Sequence, residues 1–221
     1  MNKDILNKQA QHWENAFSGK QDMFGVSPSS AAIKASEIFK KEGVINILEL
    51  GAGQGRDTLF FAQNGFHIKV LDYSKTAIDN IIKKAKALKL DNLITGQVYD
   101  VRNLLPIKDK KFGGCFSHML YSMALTSKEL EFLSNEIHRV LNDKGLNIYT
   151  ARNIKDTDYK KGIHRGEELY ENQGFIVHFF SKEKIKKLSK GFKILNIDSF
   201  VEYRTEGTYP RKLFRVILRK S

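Results

Sequence analysis

Residues 44–57, Val-Ile-Asn-Ile-Leu-Glu-Leu-Gly-Ala-Gly-Gln-Gly-Arg-Asp, constrain this chain more than any other stretch. Ile45, Ile47, Leu48 and Leu50 form an apolar run without strict alternation, which suits a parallel strand covered on both faces. Gly51, Gly53 and Gly55 then remove three Cβ atoms where the chain must turn and where a ligand can lie against bare backbone. A helix resumes behind them, so its unpaired N–H groups and positive dipole end face whatever the loop holds. The spacing discriminates between ligands. A dinucleotide fingerprint, G-x-G-x-x-G, requires glycine at position 56, where this chain has Arg56. The pattern is E-x-G-x-G-x-G, with Glu49 closing the strand.

The rest of the chain alternates strands and helices, the signature of an α/β fold with a mostly parallel sheet and helices on both faces. His67 to Tyr73 reads as a second strand ending in Asp72, 21 positions after Gly51. Nucleotide-binding folds place a ribose-binding carboxylate at about that distance, because both ribose hydroxyls are donors and a carboxylate is a double acceptor. Tyr73 beside it is placed to stack on a base. Ser74 caps a helix carrying Ala77, Ile78, Ile81, Ile82, Ala85 and Leu88 on one face. Leu93 to Asp100 is a third strand, so Glu49, Asp72 and Asp100 align three carboxylates along the carboxyl edge, where open parallel sheets bind ligands. Phe112 to Tyr121 is the fourth strand with its exit loop, which carries Ser117, His118 and Tyr121. Thr126 to Glu129 forms a capping box ahead of the next helix, and Leu146 to Arg152 is the fifth strand. An excursion over residues 153–180 follows, rich in polar and aromatic groups, including His164 and Arg165; such excursions build binding sites on rigid scaffolds. A lysine-rich helix and two last strands, 192–203 and 212–218, complete the chain. Ahead of the first core strand, residues 1–43 form a helical segment: Leu6, Ala10, Trp13 and Phe17 share one face, and a second helix starts after Pro28 and stops at Gly43.

The glycine pattern resembles motif I of the class I S-adenosylmethionine (SAM) methyltransferases, and residues 50–62 are similar to its version in the tellurite-resistance and thiopurine-type small-molecule enzymes. The resemblance implies a Rossmann-like seven-stranded sheet, mostly parallel, with an antiparallel C-terminal strand pair, over residues 44–221, and a cap at residues 1–43. It implies SAM as cofactor, with S-adenosylhomocysteine as product, held by Glu49, Gly51, Ala52, Gly53, Gly55, Arg56, Asp72, Tyr73 and Ser117, with Asp100 and the Val101 N–H on adenine. Trp13 and Phe17 of the cap then meet substrate and exclude water from the sulfonium. His118, Tyr121 and His164 are the catalytic candidates, His118 as a base by its ordinary pKa near ~6.5, and Arg165 is the grip for an anionic substrate.

The exit loop of the fourth strand lacks both the Asp/Asn-Pro-Pro-aromatic sequence of amino-methylating nucleic-acid enzymes and the Pro-Cys of cytosine C5 enzymes, which favours a small-molecule methyl acceptor. The net charge of +12 keeps a rival open: an RNA or protein methyltransferase docking through its basic surface, or a non-catalytic nucleic-acid-binding protein on the same fold. The lysines are scattered over helix faces, so composition bias is the preferred explanation. The single Cys115 excludes an internal disulfide, and no metal-ligand spacing occurs. No apolar run is long enough to span a membrane and the start lacks a signal-peptide core, so the expectation is a cytoplasmic protein, monomer or homodimer.

Overall fold

The computed structural model describes residues 3–203 and 210–221. The link between the last two predicted strands, apart from Pro210 and Arg211, lies outside the described residues. Five parallel strands form the central sheet: β1 (Asn46–Leu50), β2 (His67–Asp72), β3 (Ile94–Val98), β4 (Phe112–Ser117) and β5 (Leu141–Asn153). The hairpin β9 (Phe192–Glu202) and β10 (Arg211–Lys220) closes it, with β10 antiparallel to β5. The order β3-β2-β1-β4-β5-β10-β9 is the Rossmann-like seven-stranded sheet expected from the sequence.

Successive strand residues face opposite sides, so each strand feeds two cores. Ile47, Val70, Phe116 and Ile148 pack with α2 (Ser30–Lys41), α3 (Arg56–Gln63) and α4 (Lys75–Ala87). Leu48, Leu71, Cys115 and Tyr149 pack on the other face with α5 (Ser127–Val140) and α6 (Lys182–Leu188). The local signals behave as their chemistry requires. Ser29 and Ser74 accept hydrogen bonds from the third residue on and start α2 and α4, and Thr126 and Glu129 complete a reciprocal capping box for α5.

Two features differ from the linear reading. The third strand ends at Val98, so Asp100 sits in the turn beyond it rather than at the strand end. Residues 153–180 are a short antiparallel meander, β6 (Ile163–His164), β7 (Leu169–Asn172) and β8 (Phe175–Phe180). It joins the main sheet where β8 runs parallel to the last residues of β5, pairing Arg152 with Phe179 and Asn153 with Phe180. Helix α1 (Lys3–Gly19) packs across this end of the molecule, with Leu6 against Leu169 and Ile176 of the meander and Ala124.

The sheet reverses direction between β1 and β4, one leading outward to β2 and β3, the other to β5. Their carboxyl ends diverge there and leave a crevice, the place where α/β sheets bind ligands. Helix α1, the segment joining it to α2, and the meander together roof that crevice.

Candidate cofactor and acceptor site

The roofed crevice is a cavity of about 880 Å³, which runs from the glycine loop to the meander. That volume lies toward the upper end of the ~300–1,000 Å³ usual for small-molecule sites. At its cofactor end the loop backbone takes left-handed conformations that glycine adopts without strain, φ 68° at Gly51 and 87° at Gly55. Space is limiting as well: a Cβ on Gly51 would come within 2.9 Å of Leu120 Cδ1, and one on Gly55 within 2.4 Å of Ile81 Cγ1. The Gly53 N–H donates to Asp72 Oδ2 at 2.9 Å and the Ser74 N–H to Asp72 Oδ1 at 2.9 Å, so β2's terminal carboxylate is locked to the loop that follows β1. Burial pushes Asp72 up to about 6 even against these two donors. Glu49 is buried deeper, with Oε2 unpartnered, and burial reinforced by the nearby Asp57 and Asp72 raises it to about 8. Tyr73, Val101 and Leu120 line the apolar slot beside Asp72.

Motif residues also fasten the roof. Gln54 accepts from the Met23 N–H at 2.7 Å and donates to the Lys20 and Phe17 carbonyls at 2.9 and 3.2 Å. Asp57 accepts from the Ser29 N–H and hydroxyl at 2.7 and 2.8 Å, and Arg56 donates to the Phe24 carbonyl at 3.0 Å. Further along, Glu14 of α1 accepts from Ser74 and Thr76 at the start of α4. Gln9 bridges to the meander, donating to the Gly174 carbonyl at 2.7 Å and accepting from the Ile176 N–H at 3.0 Å. None of Gln9, Glu14, Gln54 or Glu202 stood out in the sequence. Gln54 and Asp57 lie inside the glycine motif, the one signal that marked them for attention; the others are isolated polar residues whose partners are distant in the chain.

Much of the cavity wall is aromatic, and part of it lies against the glycine loop, where a Cβ on Gly53 would come within 3.4 Å of Phe17. Trp13 packs on Phe17, Phe24 and Phe175 with ring centroids 5.4, 6.2 and 4.8 Å apart, and Tyr170 and Phe179 of the meander continue the wall. Its polar groups come from β4, β5 and the closing hairpin. His118 stands between Thr150 Oγ1, 3.0 Å from Nδ1, and Glu202 Oε1, 3.0 Å from Nε2. Arg56 Nη2 approaches the same Glu202 oxygen at 3.6 Å. Burial acts to raise Glu202, but His118, Arg56 and Arg211 outweigh it and hold this carboxyl down at about 2. Arg152, 2 % exposed, is clasped by Asp156 and by Asp158 at 2.7 Å and lies over the Phe179 ring.

The structure brings Trp13, Phe17, Glu49, Gly51, Ala52, Gly53, Gly55, Arg56, Asp72, Tyr73, Val101 and His118 onto this one cavity wall. Other expected residues are elsewhere. Tyr121 is a core residue: it stacks on Tyr149 at 3.9 Å, and its hydroxyl is 3.4 Å from Ser134 Oγ, on the α5 side of the sheet. The apolar ring packs better there than in the crevice, and it cannot serve as a catalytic group. His164 is exposed, stacked on Tyr170 with a ring nitrogen 2.8 Å from the Glu167 carbonyl, and Arg165 pairs with Glu171 at 2.6 Å; neither lines the cavity, because β6 lies outside the wall that β7 and β8 form. Ser117 is fully buried in β4 and does not line it either. Asp100 faces a small apolar space behind Tyr73 and Val101, its carboxylate engaged by Arg102 at 2.6 Å. Among the described residues no group of three or more His, Cys, Asp or Glu is arranged to hold a metal, and no helix is long and apolar enough to cross a membrane.

Sheet order, glycine loop and carboxyl-edge cavity define a class I SAM-dependent methyltransferase domain, and residues 47–145 match the family model described as a methyltransferase domain. The chain thus carries a SAM-dependent methyltransferase domain. No curated protein matches it in sequence. Among solved structures it is similar to the protein from work on conversion of a disulfide bond into a thioacetal group during echinomycin biosynthesis, at 18% identity and TM-score 0.73, covering 96% of this chain and 92% of that one. It is also similar to the 1,6-didemethyltoxoflavin-N1-methyltransferase of Burkholderia thailandensis, solved with bound 1,6-didemethyltoxoflavin and S-adenosylhomocysteine, at 17% identity and TM-score 0.67, covering 98% of this chain and 90% of that one. TehB from Haemophilus influenzae matches at 17% identity and TM-score 0.66, covering 95% of this chain and 67% of that one. At such identities these likenesses establish the fold.

Proposed function

We propose that this enzyme methylates a small-molecule acceptor enclosed between its N-terminal helical cap and the β6–β8 meander. The carrying observation is the single roofed cavity that joins the glycine loop to an aromatic chamber. Bare backbone at Gly51 to Gly55 fits the amino-acid part of SAM, the two oxygens of Asp72 fit its ribose hydroxyls, and the slot of Tyr73, Val101 and Leu120 fits its adenine. When bound, SAM would supply an electrophilic methyl that an in-line nucleophile attacks, with S-adenosylhomocysteine as the leaving group.

This chain's own contribution is alignment and exclusion of water. Holding two reactants in line is worth up to ~7–11 kcal/mol. The roof is bolted to the cofactor loop through Gln54, Arg56 and Asp57, so the acceptor chamber and the cofactor loop are set in register by the same residues. An acceptor of this kind must fit wholly inside; a polymer would need an open groove where α1 and the meander stand. The relatives include enzymes with small-molecule acceptors, in keeping with this reading.

The test is calorimetric titration with SAM and S-adenosylhomocysteine, NAD as control. Both sulfur ligands are expected to bind and NAD not. Asp72→Ala is expected to weaken them by about 10-fold or more, the usual cost of losing hydrogen bonds to a charged group. Absence of binding by the folded protein would sink the reading.

A further inference from the structure

The chamber's chemistry narrows the acceptor, on the premise that the methyl-transfer reading above holds. Consider each ionic group on its wall. The buried Arg152 is committed to Asp156 and Asp158, which close two acidic side chains around one guanidinium. Arg56 is committed to the Phe24 carbonyl and reaches Asp57 and Glu202. Lys161 lines the cavity but is exposed to solvent, and Arg211, the register partner of Glu202 across the hairpin, directs its charge at that carboxylate. His118 has both ring nitrogens engaged. His118 Nε2 faces the Glu202 carboxylate and so carries a proton to it, while Nδ1 either accepts the Thr150 proton or, protonated, donates to the Thr150 oxygen, which also accepts from the Met119 N–H at 2.9 Å. In either state the imidazole has no lone pair left with which to take a proton from an acceptor. It supports Glu202 instead.

Glu202 differs from its neighbours. Its side chain is 13% exposed, it lines the cavity, its Oε1 meets His118 and Arg56, and the charge of Arg211 on the paired strand adds to theirs. A carboxylate has about four lone-pair sites, so acceptor capacity remains after these two contacts. The surrounding charges keep the group ionised throughout the physiological range. The same cavity is lined by the flat apolar faces of Trp13, Phe24, Phe175, Phe179 and Tyr170.

We propose that Glu202 is the acceptor-anchoring residue, and that the acceptor is an aromatic or heteroaromatic molecule presenting an N–H or O–H donor to this carboxylate while its rings lie against the aromatic wall. His118 is a positioning residue that holds Glu202. Anionic acceptors, thiolates and metalloid oxyanions among them, are disfavoured: a fixed negative group meets them, and the buried guanidiniums that would attract them are already paired. Donation to Glu202 orients the ring so that one heteroatom points along the cavity toward the cofactor end. In transfer, that heteroatom's lone pair would bond to the methyl carbon as the carbon–sulfur bond breaks to release neutral S-adenosylhomocysteine, and the positive charge the conjugated ring gains would be discharged by loss to solvent of the N–H or O–H proton held at Glu202.

The experiment uses ligand-observed NMR on the full chain, with and without saturating S-adenosylhomocysteine. The probes are benzimidazole, 1-methylbenzimidazole, 4-hydroxyquinoline, benzoate, thiophenolate and tellurite. Benzimidazole and 4-hydroxyquinoline are expected to bind, 1-methylbenzimidazole, which lacks the donor, at least about 10-fold more weakly, and the three anions not measurably. Glu202→Gln, which keeps the shape and removes the charge, is expected to abolish the preference for the N–H probe over its methylated partner while leaving S-adenosylhomocysteine affinity unchanged. His118→Phe is expected to weaken the same preference without abolishing binding to the aromatic wall. Binding of benzoate, thiophenolate or tellurite as tight as that of the donors, an unaltered preference in Glu202→Gln, or no binding by any donor probe would overturn the proposal. Failure of S-adenosylhomocysteine to bind is a separate result: it counts against methyl transfer, and the probes titrated without it still decide the role of Glu202.

Discussion

Glu49 shows how one side chain can be recognised early and understood late. Its place at the end of β1, ahead of the glycines, was plain from the motif. Its electrostatics were not, because they depend on Asp57 and Asp72 arriving from other elements and on complete burial. With its folded-state pKa raised to about 8 from an ordinary value of 4.5, the folded protein holds a proton that the unfolded chain has released. The sign follows: stability is fully present below about pH 4.5 and is lost as pH rises toward about 8. Thermal melts of wild type and Glu49→Gln across pH 5 to 9 should therefore coincide at the acid end and diverge above, with the Gln variant the more stable at pH 8–9. Parallel curves would mean that Glu49 is ionised in the fold. Glu202 is the opposite case, a residue with no marker in the sequence. It reaches His118 only because the β9–β10 hairpin folds back along β5, and a single acid in an alternating strand carries no sign of that.

Among the elements, those with a strong period were legible. The α4 stripe and the apolar runs of β1 and β2 announce themselves because burial on two faces demands long uninterrupted apolar spacing. The meander did not, since its strands are two to six residues long and mix aromatic with polar side chains, so that no period is repeated often enough to be read. The segment between α1 and α2 was equally opaque: it has almost no regular structure of its own and is held from outside, chiefly by Gln54. Removing that amide strands one backbone N–H and two carbonyls, at a cost of about 1–3 kcal/mol. Gln54→Ala should accordingly lower the melting temperature by several degrees, speed tryptic cleavage after Lys20, and weaken S-adenosylhomocysteine binding, since Phe17 and Phe24 would lose their seat beside the loop. Unchanged cleavage would show that Asp57 and Arg56 suffice to fasten the roof.

For the whole molecule, the question is what the charge of +12 does. The lysines of α2 and α4, including Lys34, Lys40, Lys83 and Lys86, lie on one side of the sheet, and those of α6, Lys182, Lys186 and Lys187, lie on the other. Divided in this way they make no continuous stripe that a phosphate backbone could follow. Oligonucleotide binding measured by fluorescence anisotropy should be weak and should vanish by about 150 mM salt, with S-adenosylhomocysteine affinity unaffected by the oligonucleotide. Tight binding that survives at that salt would restore the rival reading of a nucleic-acid partner.

Among the described residues the meander is in strand register with the main sheet at Arg152 with Phe179 and Asn153 with Phe180. Further ties run to α1 and to β5, through Gln9 on Gly174 and Ile176 and through Asp156 and Asp158 on Arg152, so a change in the length of 154–178 would be felt by the acceptor wall and by α1 before it reached the ladder of β1 and β2.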